Sequence, residues 1–480
     1  MNKIQLDENM ILSEMAYWRV PGICISYVTP ECEAVRGLGV RNTNGQAVGD
    51  ETVFCIASCS KAMTSAVIAM LVSEGKLDYD RPIKEYFPAF RMNDPVAESK
   101  ATLRDMLCHR TGLGPHDGIW PSDCSPAEFE ERFAYLAPTA PFREKAQYSN
   151  IIYTLAGHVA MYVTGLDWPE LMKKYLFGPL GMDQTTCTVS GLIGADDHAE
   201  PFQVIDGKLS QLKIWDVDTV APAASVNTTG KDMTKWLRFL TSGGKLPSGK
   251  RLISEDVFRD MITKQIDFTD FIQGDNLFPL DGYSFGWQTG RYRDRYILRH
   301  TGKIEGYSSI QVFMPEEQIG VSVLVNFHSP TMSLMLTVLY HVLDKLLGLA
   351  DHDWAGEFHG KEPAPEADFN DCYVDLFGER YPQAEERNFG PQDDSITGIY
   401  SNPGYDPVEI IKEGDDFYLV NRHMKNQIIP YFGGLYKVTG LKEDILTYDL
   451  PLSFIKDKGG SITALAIPLE PLTSDIIFTR

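Results

Sequence analysis

The chain has 480 residues, of which 43% are hydrophobic and 23% are charged. These values are typical of a globular protein, and the length allows more than one domain and a sizeable core. The formal net charge of −22 argues against nucleic acid or an anionic membrane surface as a partner. The sequence shows no apolar stretch of about 18 residues, and we see no secretion signal with a basic segment followed by an apolar one. We therefore expect a cytoplasmic protein.

The cysteine pattern indicates neither disulfides nor a metal site. Eight cysteines are scattered along the chain without a Cys-x-x-Cys motif, at positions 24, 32, 55, 59, 108, 124, 187 and 372. In a large chain without a secretion signal, this favours reduced thiols. His116 and Asp117 form a candidate metal pair, but no third ligand follows at a suitable spacing. We therefore expect no metal and no cofactor.

The first part of the chain predicts a helix, two strands and a buried helix. Residues 8–18 have a helical pattern, and 22–28 and 34–40 have strand patterns. After Phe54 the apolar positions cover all sides of a helix, which indicates burial. Gly75 is expected to end this helix.

The middle of the chain is mainly helical in pattern, and strands return before residue 350. Helices are expected at 103–107, 126–135, 151–164, 168–175 and 231–240, then strands at 287–290, 296–299, 308–314 and 319–325, and a helix at 334–347. Strands at both ends with helices between them predict one sheet with a helical subdomain beside it, an α+β fold.

The C-terminal part has a different pattern. Residues 351–390 are acidic and contain little periodicity, which is typical of a linker. From 391 to 480, eight short strands predict a small antiparallel barrel, at 397–400, 408–412, 417–420, 427–431, 435–439, 445–449, 461–467 and 476–479. We therefore predict a domain at 1–350, a linker and a second domain at 391–480.

Ser58 and Lys61 are a candidate nucleophile and base at the start of the buried helix. Residues three apart share a helix face, so the hydroxyl and the amine are expected to lie side by side. A hydroxyl needs a neighbour that accepts its proton, and a lysine can do so only where it is partly neutral. Cys59 is an unfavoured alternative nucleophile, because the helix turns its side chain about 100° away. The Ser-x-x-Lys spacing alone is a weak signal.

Two further triplets accompany the pair, Tyr148-Ser149-Asn150 at the start of an apolar helix and His300-Thr301-Gly302 after a strand. With Ser58-Cys59-Ser60-Lys61, they resemble the motif series of the serine β-lactamase and penicillin-binding-protein-like hydrolases. The similar branch contains class C β-lactamases, family VIII-type esterases and D-amino-acid peptidases. The resemblance covers residues 8–348, and the tail is similar to the lipocalin-like domain of some members.

The resemblance implies a role for each motif residue. Ser58 attacks a carbonyl group, while Lys61 and Tyr148 handle its proton, and which of the two is the base stays open. Asn150 holds Lys61 and the substrate amide. The backbone N–H groups of Ser58 and Lys303 form the oxyanion hole, and the acyl-enzyme is released to water or to an amine.

The third motif departs from the family pattern because His300 stands where a lysine is usual. Together with Thr301, Gly302, Lys303 and Asn150, it is assigned to substrate binding. A histidine is largely neutral at pH 7, so we expect weaker recognition of a substrate carboxylate than a lysine would give. This favours esters, amides and peptides over penicillins.

Neighbouring residues have structural interpretations. His109 and Arg110 are interpreted as structural residues of a turn below the site. The segment Tyr283-Ser284-Phe285-Gly286-Trp287 is similar to the family as well, and its aromatic rings either line the acyl pocket or belong to the core.

We expect a serine hydrolase for a small-molecule or peptide substrate, with D-amino-acid-containing peptides or small esters as the leading class. An acyltransferase or peptide cyclase of the same fold is an alternative, and a penicillin-binding-type sensor without turnover is another. We expect neither nucleic-acid nor membrane partners, and a homo-oligomer is left open.

Overall fold

A computed structural model describes residues 4–120, 124–205, 207–268, 279–328, 332–360, 374–381, 394–422, 424–431, 434–440, 448–470 and 472–480. The chain divides into two compact units. The first unit comprises Met1–Ala89, Ser99–Gly112 and Pro141–Phe369, and the second comprises Phe90–Glu98, Leu113–Ala140 and Asn370–Arg480. Much of the linker predicted at 351–390 lies outside the described residues.

The α-helices of the described residues are numbered in chain order. They are α1 Glu8–Tyr17, α2 Ser60–Ser73, α3 Ile83–Tyr86, α4 Pro95–Lys100, α5 Leu103–Leu107, α6 Pro126–Arg132, α7 Asn150–Thr164, α8 Trp168–Met172, α9 Gly178–Leu180, α10 Val189–Ile193, α11 Ala221–Ala224, α12 Gly230–Thr241, α13 Glu255–Ile262, α14 Ser333–Leu346, α15 Trp354–His359 and α16 Leu376–Arg380. The predicted helix at 168–175 continues from α8 into a π-helical turn at Lys173–Phe177.

The strands of the first unit are numbered β1–β11 over the same described ranges. They are β1 Gly22–Val28, β2 Glu33–Gly39, β3 Val53–Cys55, β4 Phe202–Ile205, β5 Lys208–Gln211, β6 Asn227–Thr229, β7 Leu280–Tyr283, β8 Gln288–Tyr292, β9 Arg295–Ile304, β10 Tyr307–Met314 and β11 Ile319–Val325.

The main sheet of the first unit is antiparallel, in the order β2-β1-β11-β10-β9-β8-β7. The N-terminal strands thus pair with the last strand of the unit, which confirms the predicted sheet built from both ends. The third motif lies inside β9 rather than after a strand, because the ladder with β10 continues to Ile304.

Helices cover both faces of this sheet. On one face, Ile11 of α1 and Leu339 of α14 pack into a core with Ile25 and Val323 of the sheet. On the other face, α12 begins directly against β1. A Cβ atom on Gly230 would lie 2.4 Å from Cys24 Sγ, so only a glycine allows this approach.

Helix α2 is buried, as its all-round apolar pattern predicted. Its residues from Ser60 to Leu71 are all buried. Gly75, with φ of +72°, follows the end of the helix as expected. The helix begins at Ser60 rather than Ser58, because Ala57–Cys59 form a 3-10 turn.

The second unit contains the predicted barrel. Its strands are β12 Val374–Asp375, β13 Gly398–Asn402, β14 Tyr405–Glu413, β15 Asp416–Asn421, β16 Met424–Pro430, β17 Leu435–Val438, β18 Tyr448–Lys456, β19 Ile462–Ile467 and β20 Ile476–Thr479. Strands β13–β20 close into an eight-stranded antiparallel barrel, because β18 pairs with both β17 and β19. Of the predicted strand 445–449, residues 445–447 lie outside the described residues.

Buried polar contacts attach the segment Leu113–Ala140 to the barrel within this unit. The His116 backbone N–H donates to Glu470 Oε2 at 2.8 Å, and its ring Nδ1 lies 2.6 Å from the Tyr405 hydroxyl. The Arg132 guanidinium donates to Asp406 Oδ1 at 2.5 Å. Arg422 donates to the same oxygen at 3.0 Å, so one buried carboxylate pairs with two arginines.

No helix in the described part of the chain is long and apolar enough to cross a bilayer. Seven cysteines lie in those ranges, and all of them are unpaired thiols.

We expect Asp406→Asn to lower the free energy of unfolding of the second unit by about 3 kcal/mol, because it leaves two arginines without their buried carboxylate. Urea unfolding monitored by fluorescence measures this change. Glu413→Gln is the matched control: its ion pair with Lys425 lies on the barrel surface, where such pairs contribute about 1 kcal/mol or less. Equal losses in the two variants would contradict the prediction.

Candidate active site

Ser58 lies in a strained turn between β3 and α2. The preceding residue, Ala57, has φ of +44°, a left-handed conformation that costs a non-glycine residue on the order of 1 kcal/mol. Ala57 and Cys59 are each 1% exposed, whereas Ser58 is only partly buried. The turn therefore presents one side chain of the three to solvent.

Lys61 lies one helical turn further along and is fully buried. Its Nζ donates to Ser58 Oγ at 3.0 Å, to Asn150 Oδ1 at 2.5 Å and to the Ala223 carbonyl oxygen at 3.1 Å. An ammonium group has three donors, so these three oxygens satisfy it. The Tyr148 ring lies 4.7 Å from the same nitrogen. The structure thus brings together Ser58, Lys61, Tyr148 and Asn150.

His109 positions the second motif. Its Nδ1 accepts a hydrogen bond from the Ser149 backbone N–H at 3.1 Å, and its carbonyl oxygen accepts one from the Gln147 N–H at 2.7 Å. Its ring packs 4.5 Å from the Tyr148 ring. Ser149 is the N-cap of α7, so this anchor also fixes Asn150, the first residue of that helix.

The third motif alternates across β9. Thr301 and Lys303 are partly exposed, whereas His300 and Gly302 are buried. Such alternation follows from the two-residue period of a strand. Thr301 and Lys303 therefore share one face of β9. His300, with 1% exposure, lies with Gly302 on the face toward the Ser58 turn, and its ring centroid is 6.2 Å from that of Tyr148.

His300 is held as a neutral imidazole. Its Nδ1 donates to the Thr301 carbonyl oxygen at 2.6 Å, since a carbonyl can only accept. Its Nε2 then accepts from the Tyr283 hydroxyl at 2.9 Å. Burial, and next the positive charge of Lys61, lower the pKa of His300 to about 3. The same two causes hold the pKa of His109 well below its usual value.

The sequence did not indicate two of the groups that hold these side chains. The Ala223 oxygen that binds Lys61 is a backbone atom, and no side-chain pattern marks it. Tyr283 belongs to the segment whose aromatic residues the sequence did not assign to either the acyl pocket or the core. It is fully buried and bonds to His300, so it belongs to the support of the site.

No group of three or more His, Cys, Asp or Glu side chains suitable for a metal ion occurs in the described ranges. His116, one half of the candidate pair, instead contacts Tyr405 and the Ala137 carbonyl oxygen.

Residues 16–339 match the family model described as Beta-lactamase. This match covers more than half of the chain, so the protein belongs to the beta-lactamase family. The fold is that of the serine hydrolases of this family.

Among similar proteins, the unguisins hydrolase ungD of Aspergillus violaceofuscus is 23% identical over 437 residues, which cover 85% of this chain and 76% of that protein. The octameric penicillin-binding protein homologue from Pyrococcus abyssi superposes with a TM-score of 0.59 at 22% identity and covers 98% of both chains. The D-amino acid amidase from Ochrobactrum anthropi SV3, complexed with D-phenylalanine, has a TM-score of 0.59 at 22% identity and covers 71% of this chain and 98% of that one. At such identities, these structures establish the fold alone.

We expect the first unit to lose stability as the pH falls below about 6.5. The folded-state pKa values of His109, His300 and His328 are lowered, that of His328 to about 3 by its burial, so the unfolded chain binds protons that the folded chain does not. This contribution to stability is complete above about pH 6.5 and is lost toward about pH 3, by up to about 1.4 kcal/mol per pH unit for each ring.

Urea unfolding between pH 7.5 and pH 5 measures this slope. His328→Asn provides the control, because its ring bonds to the Ile304 carbonyl oxygen and His328 is not one of the motif residues. In this variant, the free energy of unfolding should depend less steeply on pH, by the contribution of one histidine, whatever its stability at pH 7.5. An unchanged slope would refute the assignment.

Proposed function

We propose that this protein is a serine hydrolase that forms an acyl-enzyme on Ser58. The observation that carries the proposal is the position of Lys61 Nζ, which lies within hydrogen-bond distance of both Ser58 Oγ and Asn150 Oδ1. A nucleophile, a basic group in contact with it and a third residue that orients the base form the arrangement that activates a serine. Membership of the beta-lactamase family supports the same chemistry.

In the proposed reaction, Ser58 Oγ forms a bond to the substrate carbonyl carbon while its proton passes to the member of the Lys61–Tyr148 pair that is deprotonated before the attack, either the Lys61 amine or the Tyr148 phenolate. The carbonyl oxygen becomes an oxyanion, which the backbone N–H groups of Ser58 and Lys303 stabilise, by about 3 kcal/mol for each donor. The leaving amine or alcohol takes the proton from the pair as its bond to carbon breaks. Water then attacks the acyl-enzyme and releases the acid.

The neutral state of His300 supports amides and esters as substrates. A lysine at this position would be a fixed positive charge for a substrate carboxylate, whereas both nitrogens of His300 are already bonded within the protein. We infer that substrates without an essential carboxylate, above all D-amino-acid-containing peptides and small esters, are the leading class. The similarity to a D-amino acid amidase supports D-amino-acid derivatives as the first compounds to test.

Intact-protein mass spectrometry with a fluorophosphonate probe tests the nucleophile. We expect one adduct on the wild type, none on Ser58→Ala, and turnover of p-nitrophenyl acetate by the wild type alone. Ser73→Ala, at the other end of α2, is the matched control and should be labelled like the wild type. A folded wild type without an adduct would overturn the proposed function.

Turnover of D-phenylalanine amide, L-phenylalanine amide and benzylpenicillin tests the substrate class. We expect kcat/KM for the D-amide to exceed the other two by about tenfold or more, since a misplaced or missing polar contact costs at least that factor. Product analysis with an added amine distinguishes hydrolysis from acyl transfer. Preference for benzylpenicillin would contradict the interpretation of His300.

We further propose that the barrel is lipocalin-like and that the protein assembles as a homo-oligomer, as the octameric homologue of the same overall fold does. The molar mass in solution, measured by light scattering, tests the assembly. The unpaired thiols support a reducing compartment such as the cytoplasm.

A further inference from the structure

Two side chains of β10 bind the carbonyl groups on both sides of Ser58. Ser309 Oγ donates to the Ile56 carbonyl oxygen at 2.7 Å, and Gln311 Nε2 donates to the Cys59 carbonyl oxygen at 2.8 Å. Residues two apart in a strand share a face, so both side chains leave the sheet toward the turn that carries Ser58. Ser309 and Gln311 are both fully buried.

Gly302 allows Ser309 to reach this turn. The two residues are paired across β9 and β10. A Cβ atom on Gly302 would lie 2.1 Å from the Ile56 carbonyl oxygen and 2.4 Å from Ser309 Oγ. The space beside this glycine is therefore occupied by the Ser309 hydroxyl and the carbonyl group that it binds.

The donors of this cluster can be assigned. Ser309 Oγ lies 3.2 Å from Cys59 Sγ as well, but its single proton satisfies the stronger and closer acceptor, the Ile56 oxygen. Burial raises the pKa of Cys59 to about 12, so the thiol keeps its own proton. That proton is donated to the His300 carbonyl oxygen at 3.2 Å, and the two hydrogen bonds do not compete.

The bond to Ile56 fixes the most strained peptide of the turn. This peptide leads into Ala57, whose φ of +44° sets the direction in which the chain enters Ser58. A rotation of the Ile56–Ala57 peptide would turn the Ser58 N–H and the Ser58 Oγ together. The hydroxyl of Ser309 opposes that rotation because it holds the carbonyl end of the peptide.

We propose that Ser309 is a positioning residue, which orients Ser58 for acylation through the Ile56 carbonyl group and touches no substrate itself. The inference rests on the proposed function, since it requires Ser58 to be the nucleophile. It gives the third motif a further role, because the absence of a side chain at Gly302 leaves the space in which Ser309 binds the Ile56 carbonyl group.

Ser309→Ala tests this inference against a closely matched control. Ser308 is the adjacent residue, 1% exposed, and its Oγ donates to the Phe327 carbonyl oxygen at 2.9 Å from the opposite face of β10. Ser308→Ala therefore removes a buried serine–carbonyl bond of the same kind. For Ser309→Ala we expect kcat with p-nitrophenyl acetate and the rate of fluorophosphonate labelling to fall about 10- to 100-fold, with KM within threefold, because a displaced nucleophile slows acylation rather than binding.

Ser308→Ala should keep both rates within about threefold of the wild type, although it is destabilised to a similar extent. Ser309→Cys keeps a donor at the same position, but the larger thiol is a weaker donor, so this variant should give intermediate rates. The shape of the pH–rate profile should be the same in all variants, because Ser309 transfers no proton to the substrate.

Equal rates for Ser309→Ala and Ser308→Ala would overturn the inference. If the wild type is labelled in that case, the proposed function still stands. An unlabelled wild type would overturn both. If Ser309→Ala does not fold, Ser309→Cys decides. Failure of both to fold would assign Ser309 a purely structural role and overturn the inference.

Discussion

The buried Lys61 side chain is the interaction on which the rest of the site depends. A charged amine removed from water is costly unless nearby oxygens replace its hydration. Here the oxygens come from three separate elements, the turn before α2, the first residue of α7 and the carbonyl group of Ala223 in α11. Each of these oxygens must lie within hydrogen-bond distance of the Lys61 nitrogen, because hydrogen bonds weaken steeply beyond the usual distances. The helical packing of the first unit is constrained by this single nitrogen.

The two histidines near the site add no positive charge to that of Lys61. Both rings of His109 and His300 are buried, and the charge of Lys61 adds to burial in keeping them neutral. A second positive charge at the position of His300 would oppose the first at close range. The histidine in the third motif instead bonds to the Thr301 carbonyl oxygen and to Tyr283 as a neutral group.

The sequence predicted the main elements because their patterns depend on burial, which the fold preserves. The all-round apolar α2, the paired strands from both ends of the first unit and the barrel strands all follow from periodicity. The left-handed Ala57 was not predictable, because nothing in Ala-Ser-Cys favours a positive φ. The oxygen of Ala223 carries no residue-type signal at all. The motifs indicated the members of the site, whereas the backbone groups that position them required the structure.

The second unit combines a segment from the middle of the chain with its end. The chain passes between the two units at five places, after Ala89, Glu98, Gly112, Ala140 and Phe369. During synthesis, His116 and Arg132 leave the ribosome long before Tyr405, Asp406 and Glu470 exist to receive them. The nascent segment Leu113–Ala140 must therefore wait, without the carboxylates and the hydroxyl that bind it in the folded unit, until the last strands are made. A shortened chain that ends before the barrel would leave this segment permanently without those partners, so the barrel completes the folding of an earlier segment of its own unit.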